Sequence, residues 1–299
     1  MTTSGWVGLL IIGLGFGGLA NSADTGLDFP SNGDAPSDAF VAFQFLNPQN
    51  NGAPIWGPSN QGVTYIWKYR PRQQDGYYVT MWWSRGDGHF NQGGYYGYYG
   101  GHPYPQGGGA SNPNHYWELA GMGDGADTVH TLSGSPLAVV KDVWYTQALR
   151  ITVNANGTKT ARFYINLPSV ANGNIIQVTS TASYGDTLPP SPALTFGDSP
   201  WYADFQHERM SGVIRGIKIF NKVLSEAATL AEAASDALVT SEGQANIWYM
   251  NINPTPSDIS DKSGKGHNPS WASSVRPSLY SDSDSRPIVP SPPKNLTVK

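Results

Sequence analysis

The chain has 299 residues, a formal net charge of −4 and only 13% charged residues, against 12% aromatics, 35 glycines and 23 prolines. That balance excludes a general attraction to nucleic acid or to an anionic membrane, and the absence of cysteine excludes disulfides and thiolate metal sites. Few charges with many turn formers and aromatics favour strands over helices, and the length suits one large β domain with extra segments or two small domains.

The first element is apolar. Residues Trp6 to Ala20 read WVGLLIIGLGFGGLA, and no Lys or Arg precedes Lys68. The run lacks the positive start of a signal peptide. It is shorter than the roughly 20 residues of a membrane span, and its glycines weaken a helix, so no stable span is expected. Gly13, Gly15 and Gly18 match G-x-G-x-x-G. The next residues form a turn-rich stretch rather than the helix and second strand of a dinucleotide site. The favoured reading is an arm over residues 1–25. In it Trp6, Leu9, Leu10, Ile11, Ile12 and Phe16 dock into a neighbouring subunit of an oligomeric assembly, because so apolar a stretch is costly in water. A signal peptide is the second reading.

After a turn-rich entry, strands are predicted at Phe40–Leu46, Val63–Tyr69 and Tyr77–Ser84, the last two joined by a turn at Gln74-Asp75-Gly76. Glycine with interleaved tyrosine dominates from Gly86 to Gly109 and reads as loop. Further strands are expected at Tyr116–Ala120, Thr128–Thr131, Trp144–Asn154, Thr160–Asn166, Ile175–Ser180, Ala193–Phe196 and Gly212–Phe220. Residues 155–158 (ANGT) form a hairpin turn between two of them. In GVIRGIKIF, Val213, Arg215 and Ile217 alternate against Ile214, Gly216 and Lys218. One helix is predicted near 225–238, with Ser225 as N-cap and Glu226 at the positive end of its dipole. A late strand spans Asn246–Ile252, and the Ser/Asp/Pro-rich tail 281–299 is irregular.

Four of these segments carry a resemblance. GVIRGIKIFNKVLS (Gly212–Ser225) followed by a helix is similar to the final strand of laminin-G-like, concanavalin A-like domains. WYTQALRITVN (Trp144–Asn154) and ARFYIN (Ala161–Asn166) resemble the central strand pair of that family, and GLDF (Gly26–Phe29) resembles its opening element. The resemblance covers roughly residues 26–238. It implies an all-β jelly roll of two antiparallel sheets, a single domain over 26–280. The family's opening pattern, an aromatic strand then D-x-S-G-N-G, resembles NIWYMNI and DISDKSGKGHN (246–268), which here come after the final strand. A permuted arrangement is therefore expected, with Ile247–Ile252 paired inside the one sandwich.

Glycosidases on this fold set two carboxylates about one sugar bond, in the related families as E-x-D-x-x-E. The five glutamates, Glu118, Glu208, Glu226, Glu232 and Glu242, do not form that pattern, and Glu118 is the best lone candidate. Lyases need a Tyr or His base; His89, His102, His115, His130 and Tyr104 supply the residue types without the family's motifs. The glycine-tyrosine tract offers stacking faces and polar tips for a glycan or a protein partner. Its contact residues are Tyr95, Tyr96, Tyr98, Tyr99, His102 and Tyr104, read as lying on a loop. A calcium site is open at Asp124 and Asp127, with Asp258 and Asp261 as a second set. The expected function is thus a non-enzymatic structural or binding protein, a component of a virion surface or an extracellular one. The alternative is a secreted polysaccharide lyase or glycoside hydrolase.

Overall fold

The computed structural model describes residues 25–29, 41, 43–45, 62–72, 76–83, 94–100, 116–120, 129–131, 142–156, 159–165, 175–179, 194–197, 210–271 and 275–281. For 76–83, 94–100, 116–120, 129–131 and 175–179 it gives strand placement and register. The arm residues Trp6, Leu9, Leu10, Ile11, Ile12 and Phe16, the cation candidates Asp124 and Asp127, and His102 and Tyr104 lie outside the described residues.

Two antiparallel sheets make the fold. The first runs β10 (Ile175–Thr179), β9 (Lys159–Ile165), β8 (Tyr145–Val153), β3 (Gly62–Pro71), β12 (Gly212–Phe220), β1 (Thr25–Phe29) and β15 (Ser278–Ser281). The second runs β14 (Ser270–Trp271), β2 (Phe43–Phe45), β11 (Leu194–Phe196), β4 (Gly76–Trp83), β5 (Gly94–Gly100), β6 (Tyr116–Ala120) and β7 (Val129–Thr131). Alternation sends one set of side chains from each sheet into the space between them. Leu27, Tyr65, Trp67, Leu149, Phe163 and Ile219 come from the first sheet, and Phe43, Phe45, Leu194 and Phe196 from the second. Each is at most 2% exposed, and burial of such a side chain contributes about 1.5–3 kcal/mol.

The strand β12 departs from the alternation its sequence suggests. Its register on β3 passes from Arg215↔Lys68 to Lys218↔Ile66, so two residues of β12 face one of β3. Gly216 sits in this bulge at φ +62°, a left-handed conformation that glycine adopts without steric cost. The bulge resets the parity: Ile214, Ile217 and Ile219 all enter the inter-sheet core. The expected grouping of Ile217 with Val213 and Arg215 is therefore corrected.

β12 has a divided outer edge. Its first half pairs with β1 (Leu27↔Ile214) and its second half with β13 (Ile247–Asn251; Ile219↔Tyr249). The C-terminal segment then supplies β14 to the second sheet and β15 to the first. Phe45 of β2 packs edge-on to Tyr249 at 4.7 Å and tilted against Trp248 at 5.2 Å, a contact between the layers.

Helix α1 (Glu226–Ala233) covers part of the first sheet's outward face, over Ile66, Ala148, Tyr164, Phe220 and Met250. Ser225 caps it by accepting from the Ala228 amide, and Glu226 lies in its first turn. The predicted helix over 225–238 is shorter than expected, because the chain turns after Ala233 and a second helix, α2 (Ser241–Asn246), comes after it with Thr240 as N-cap. Among the described residues no helix is long and apolar enough to cross a membrane.

Candidate functional site

The glycine-tyrosine tract is not a loop over residues 94–100. It is β5, held between β4 and β6. Aromatic β propensity and two flanking aromatic strands outweigh the glycines.

Register fixes which positions of this region share a face. Leu194 and Phe196 are core residues, 1% and 0% exposed, and their partners on β4 are Trp83 and Met81. Thr195 between them takes the face turned away from the inter-sheet core, where it is itself only 2% exposed; it pairs with Trp82, so position 82 belongs to that outward face. Trp82 pairs with Tyr95, and Tyr95 with Ala120. Two positions along β5 and β6, and three along β4 because its register on β5 shifts between Val79 and Met81, comes the row Val79–Gly97–Glu118–Thr131, and beyond it Tyr77–Tyr99–Tyr116. By register, the rows Trp82–Tyr95–Ala120 and Tyr77–Tyr99–Tyr116 flank the row of Gly97 and Glu118 on one face of β4, β5 and β6. The intervening rows, Met81–Tyr96–Leu119–His130 and Tyr78–Tyr98–Trp117, take the core-side positions.

The four tyrosines read from sequence as one contact set occupy alternating positions of β5. Positions 95 and 99 share one face of β5, and positions 96 and 98 share the other. Positions 77, 82 and 116 fall on the same face as 95 and 99 by register, a grouping that sequence reasoning does not make. Only cross-strand register relates them, because they are far apart in sequence. Glu118, the lone carboxylate considered for catalysis, falls in the middle of this face.

The two sheets differ sharply in charge. No strand of the second sheet contains Lys or Arg, and its single Asp or Glu is Glu118. Lys68, Arg70, Arg150, Lys159, Arg162, Arg215 and Lys218 all belong to the first sheet. There the described cations are tied into the structure. Lys68 pairs with Asp236, Arg70 with Asp142 at 3.2 Å, and Arg72, just past β3, with Asp28. The Arg215 guanidinium lies 4.5 Å over the Trp144 ring and Arg70 5.5 Å from that of Tyr280, with Trp144 and Tyr280 edge to face at 5.9 Å.

The second cation set is explained otherwise. In the loop after β13, Asp261 Oδ1 accepts from the amides of Met250 and Ser263, and Oδ2 from Ser263 Oγ and the His267 amide. Burial alone pushes this carboxyl up, but the bonds from Ser263, Met250 and His267 outweigh it and hold it below its ordinary value. The Asp258 carboxylate is engaged by Lys262 and Ser260, which lower it strongly. Both act as loop staples, and Asp261 has its oxygens filled by protein donors. His267 completes the loop: its ring stacks on Trp248 at 4.3 Å, and Nδ1 lies 2.7 Å from the Trp248 carbonyl. Among the described residues no group of three His, Cys, Asp or Glu side chains is placed to hold a metal.

No protein-family model matches the chain, and no curated protein is significantly similar to it. Solved structures are similar in fold. A protein from Bacteroides ovatus named for carbohydrate binding superposes with a TM-score of 0.50 at 14% identity, over 87% of this chain and 60% of its own. A heptameric SAP-like pentraxin from Limulus polyphemus gives 0.43 at 10% identity, over 74% and 85%. Tailspike protein 2 of bacteriophage CBA120 gives 0.44 at 15%, over 81% of this chain and 35% of that one. At these identities the likeness is one of fold, and the fold is the concanavalin A-like jelly roll of two antiparallel sheets.

Proposed function

We propose that the chain is a non-catalytic carbohydrate-binding jelly roll whose glycan platform is the outward face of β4, β5 and β6. The observation that supports this is the register, in which positions Trp82, Tyr95, Tyr77, Tyr99 and Tyr116 fall in two rows on one face, either side of Gly97. Sugar rings have apolar faces and hydroxyl edges, and amphipathic aromatics match both. The absence of a side chain at position 97 lets a ring approach the backbone between the rows. Binding is favoured over hydrolysis because, among the described residues, the strands of the second sheet carry one carboxylate where a glycosidase uses two. The Bacteroides protein of similar fold is itself named for carbohydrate binding.

Parity provides the test. Retention of the purified chain is measured in polysaccharide-containing gels, with its variants. Tyr99→Ala and Tyr95→Ala are expected to weaken retention up to about tenfold while leaving the fold intact. Tyr98→Ala and Tyr96→Ala instead are expected to cost about 3–5 kcal/mol of stability, as core truncations do. Equal behaviour of the two pairs, or no retention by any glycan, contradicts the reading. New unsaturated or reducing ends after incubation favour the lyase or hydrolase alternative.

Assembly into a virion surface layer is a separate proposal. It rests on the uncharged apolar run within residues 1–25 alone. Sedimentation of the chain with and without that arm tests it: a loss of oligomers on deletion is the expected result.

A further inference from the structure

Two arginines face each other across the first sheet. Arg150 of β8 and Arg162 of β9 are directly paired, which sets their Cβ atoms about 5 Å apart on one face. Like charges so placed repel one another, and an anion between them relieves the repulsion. Both share Tyr164, a fully buried ring in the cluster that α1 covers. The Arg162 guanidinium lies 5.2 Å from the ring centroid and that of Arg150 6.0 Å. Arg150 Nη1 donates to the Tyr164 hydroxyl at 2.7 Å, and Arg162 Nη1 to Glu226 Oε2 at 3.2 Å. Glu226 is exposed, and the nearby Glu242 is held by Ser225 and Lys222. Each arginine thus uses one end of its guanidinium on a protein partner. Nε at the other edge is buried in both, with no acceptor among the described residues. A buried donor without an acceptor is costly and calls for a water, an ion or a ligand oxygen.

We propose that the Nε–Nη2 edges of Arg150 and Arg162 form a site for a tetrahedral oxyanion, a sulfate or phosphate group. Each edge is a fork of two N–H donors, so the pair presents two forks to one ligand. A tetrahedral oxyanion has oxygens enough, and out of one plane, to meet both forks. A carboxylate has two oxygens in one plane and fills a single fork. The Nε atoms are covered, so entry takes a turn of each guanidinium toward the ligand. Tyr164 anchors the far end of Arg150 during that turn, while Glu226 competes with the ligand for Arg162. The site belongs to the layer opposite the glycan platform and does not depend on it.

The test follows the arginine Nε–Hε resonances of the full chain by NMR, at constant ionic strength held with sodium chloride. The signals of Arg150 and Arg162 are assigned by their loss in Arg150→Gln and Arg162→Gln. The probes are inorganic sulfate, inorganic phosphate, glucose 6-sulfate and acetate. Both signals are expected to shift saturably with the three tetrahedral oxyanions and more weakly with acetate. Loss of either arginine is expected to weaken binding at least about tenfold, read on the signal that remains. Arg150→Lys keeps the charge and a donor for Tyr164 but loses the fork, so it is expected to weaken binding as well. Glu226→Gln removes the competing carboxylate and is expected to tighten binding by up to about fivefold. Arg276→Gln, beside β15 at the opposite edge of the sheet, is expected to leave the affinity unchanged. Glucose 6-sulfate bound more tightly than sulfate identifies an ester-bearing ligand as the occupant, and the reverse order a free ion. Shifts without saturation, acetate equal to sulfate, or an affinity indifferent to both Arg150→Lys and Glu226→Gln overturn the proposal. Neutral oligosaccharides are expected to leave both signals unmoved, so failure of this site and failure of the platform are read separately.

Discussion

At the scale of single residues, the most consequential pair is Lys218 and Glu232, 1% and 0% exposed as side chains and 3.1 Å apart. Lys218 reaches out of β12 beneath the end of α1, where its ammonium donates to the carbonyls of Glu232, Ser235 and Ala237 at 2.7–2.9 Å. It thereby satisfies carbonyls left without partners by the helix end and complements the negative end of the helix dipole. Glu232 turns back to the succeeding chain and accepts from the Thr240 amide and hydroxyl. Burial alone raises the Glu232 carboxyl, but the bonds from Thr240 and Lys218 outweigh it and keep it below its ordinary value. Lys218→Ala leaves a buried carboxylate unpaired and is expected to cost about 3–5 kcal/mol in urea denaturation. A loss below about 1 kcal/mol contradicts this account of the pair. The depressed carboxyls also set an acid limit. Glu232, Asp258 and Asp261 bind fewer protons in the folded state than in the unfolded one at acidic pH. Their stabilisation is present above the ordinary carboxylate range and is lost as pH falls below about 4. Asp261→Asn is expected to flatten that slope, measured by denaturation midpoints between pH 3 and 7 as rough limits of the window.

At the scale of elements, two strands show what a glycine does to an alternating pattern. In β12 a single glycine inserts a bulge, and everything after it changes face. Gly216→Ala forces a side chain into a left-handed conformation and is expected to cost about 1–2 kcal/mol by thermal unfolding. No measurable loss would argue against the bulge. In β5 the glycines do not interrupt the strand, which pairs along β6 and, with one register shift on the β4 side between Val79 and Met81, along β4. This difference explains why the sequence is readable in one place and not the other. The long apolar strands, Ser225 as N-cap and the late strand at 247–251 are legible from local pattern, since each carries its own propensity or capping chemistry. The glycine-tyrosine strand reads as loop from sequence because its stability comes from neighbours distant along the chain. The outward grouping of Tyr77, Trp82, Tyr95, Tyr99 and Tyr116 is invisible for the same reason, as one-residue changes in register exchange the two faces. Asp261 looks like a cation ligand because the same residue type serves a loop staple, and only its four donors separate the two roles.

At the scale of the whole molecule, the sandwich is polarised. The first sheet buries β12 among β3, β1 and β13, carries the strand cations and is partly roofed by α1. The second sheet is aromatic and nearly uncharged in its strands. The C-terminal segment joins the layers by contributing β13 and β15 to one and β14 to the other. The proposed platform therefore lies on the layer without strand cations, and α1 packs on the other. The most direct measurement is backbone amide shift mapping of the full chain titrated with a neutral oligosaccharide that it retains. The account predicts shifts concentrated at 77–82, 95–99 and 116–120, with the first sheet silent. Shifts centred on the Arg70, Trp144, Arg215 and Tyr280 cluster, or on the loop 258–268, would contradict it.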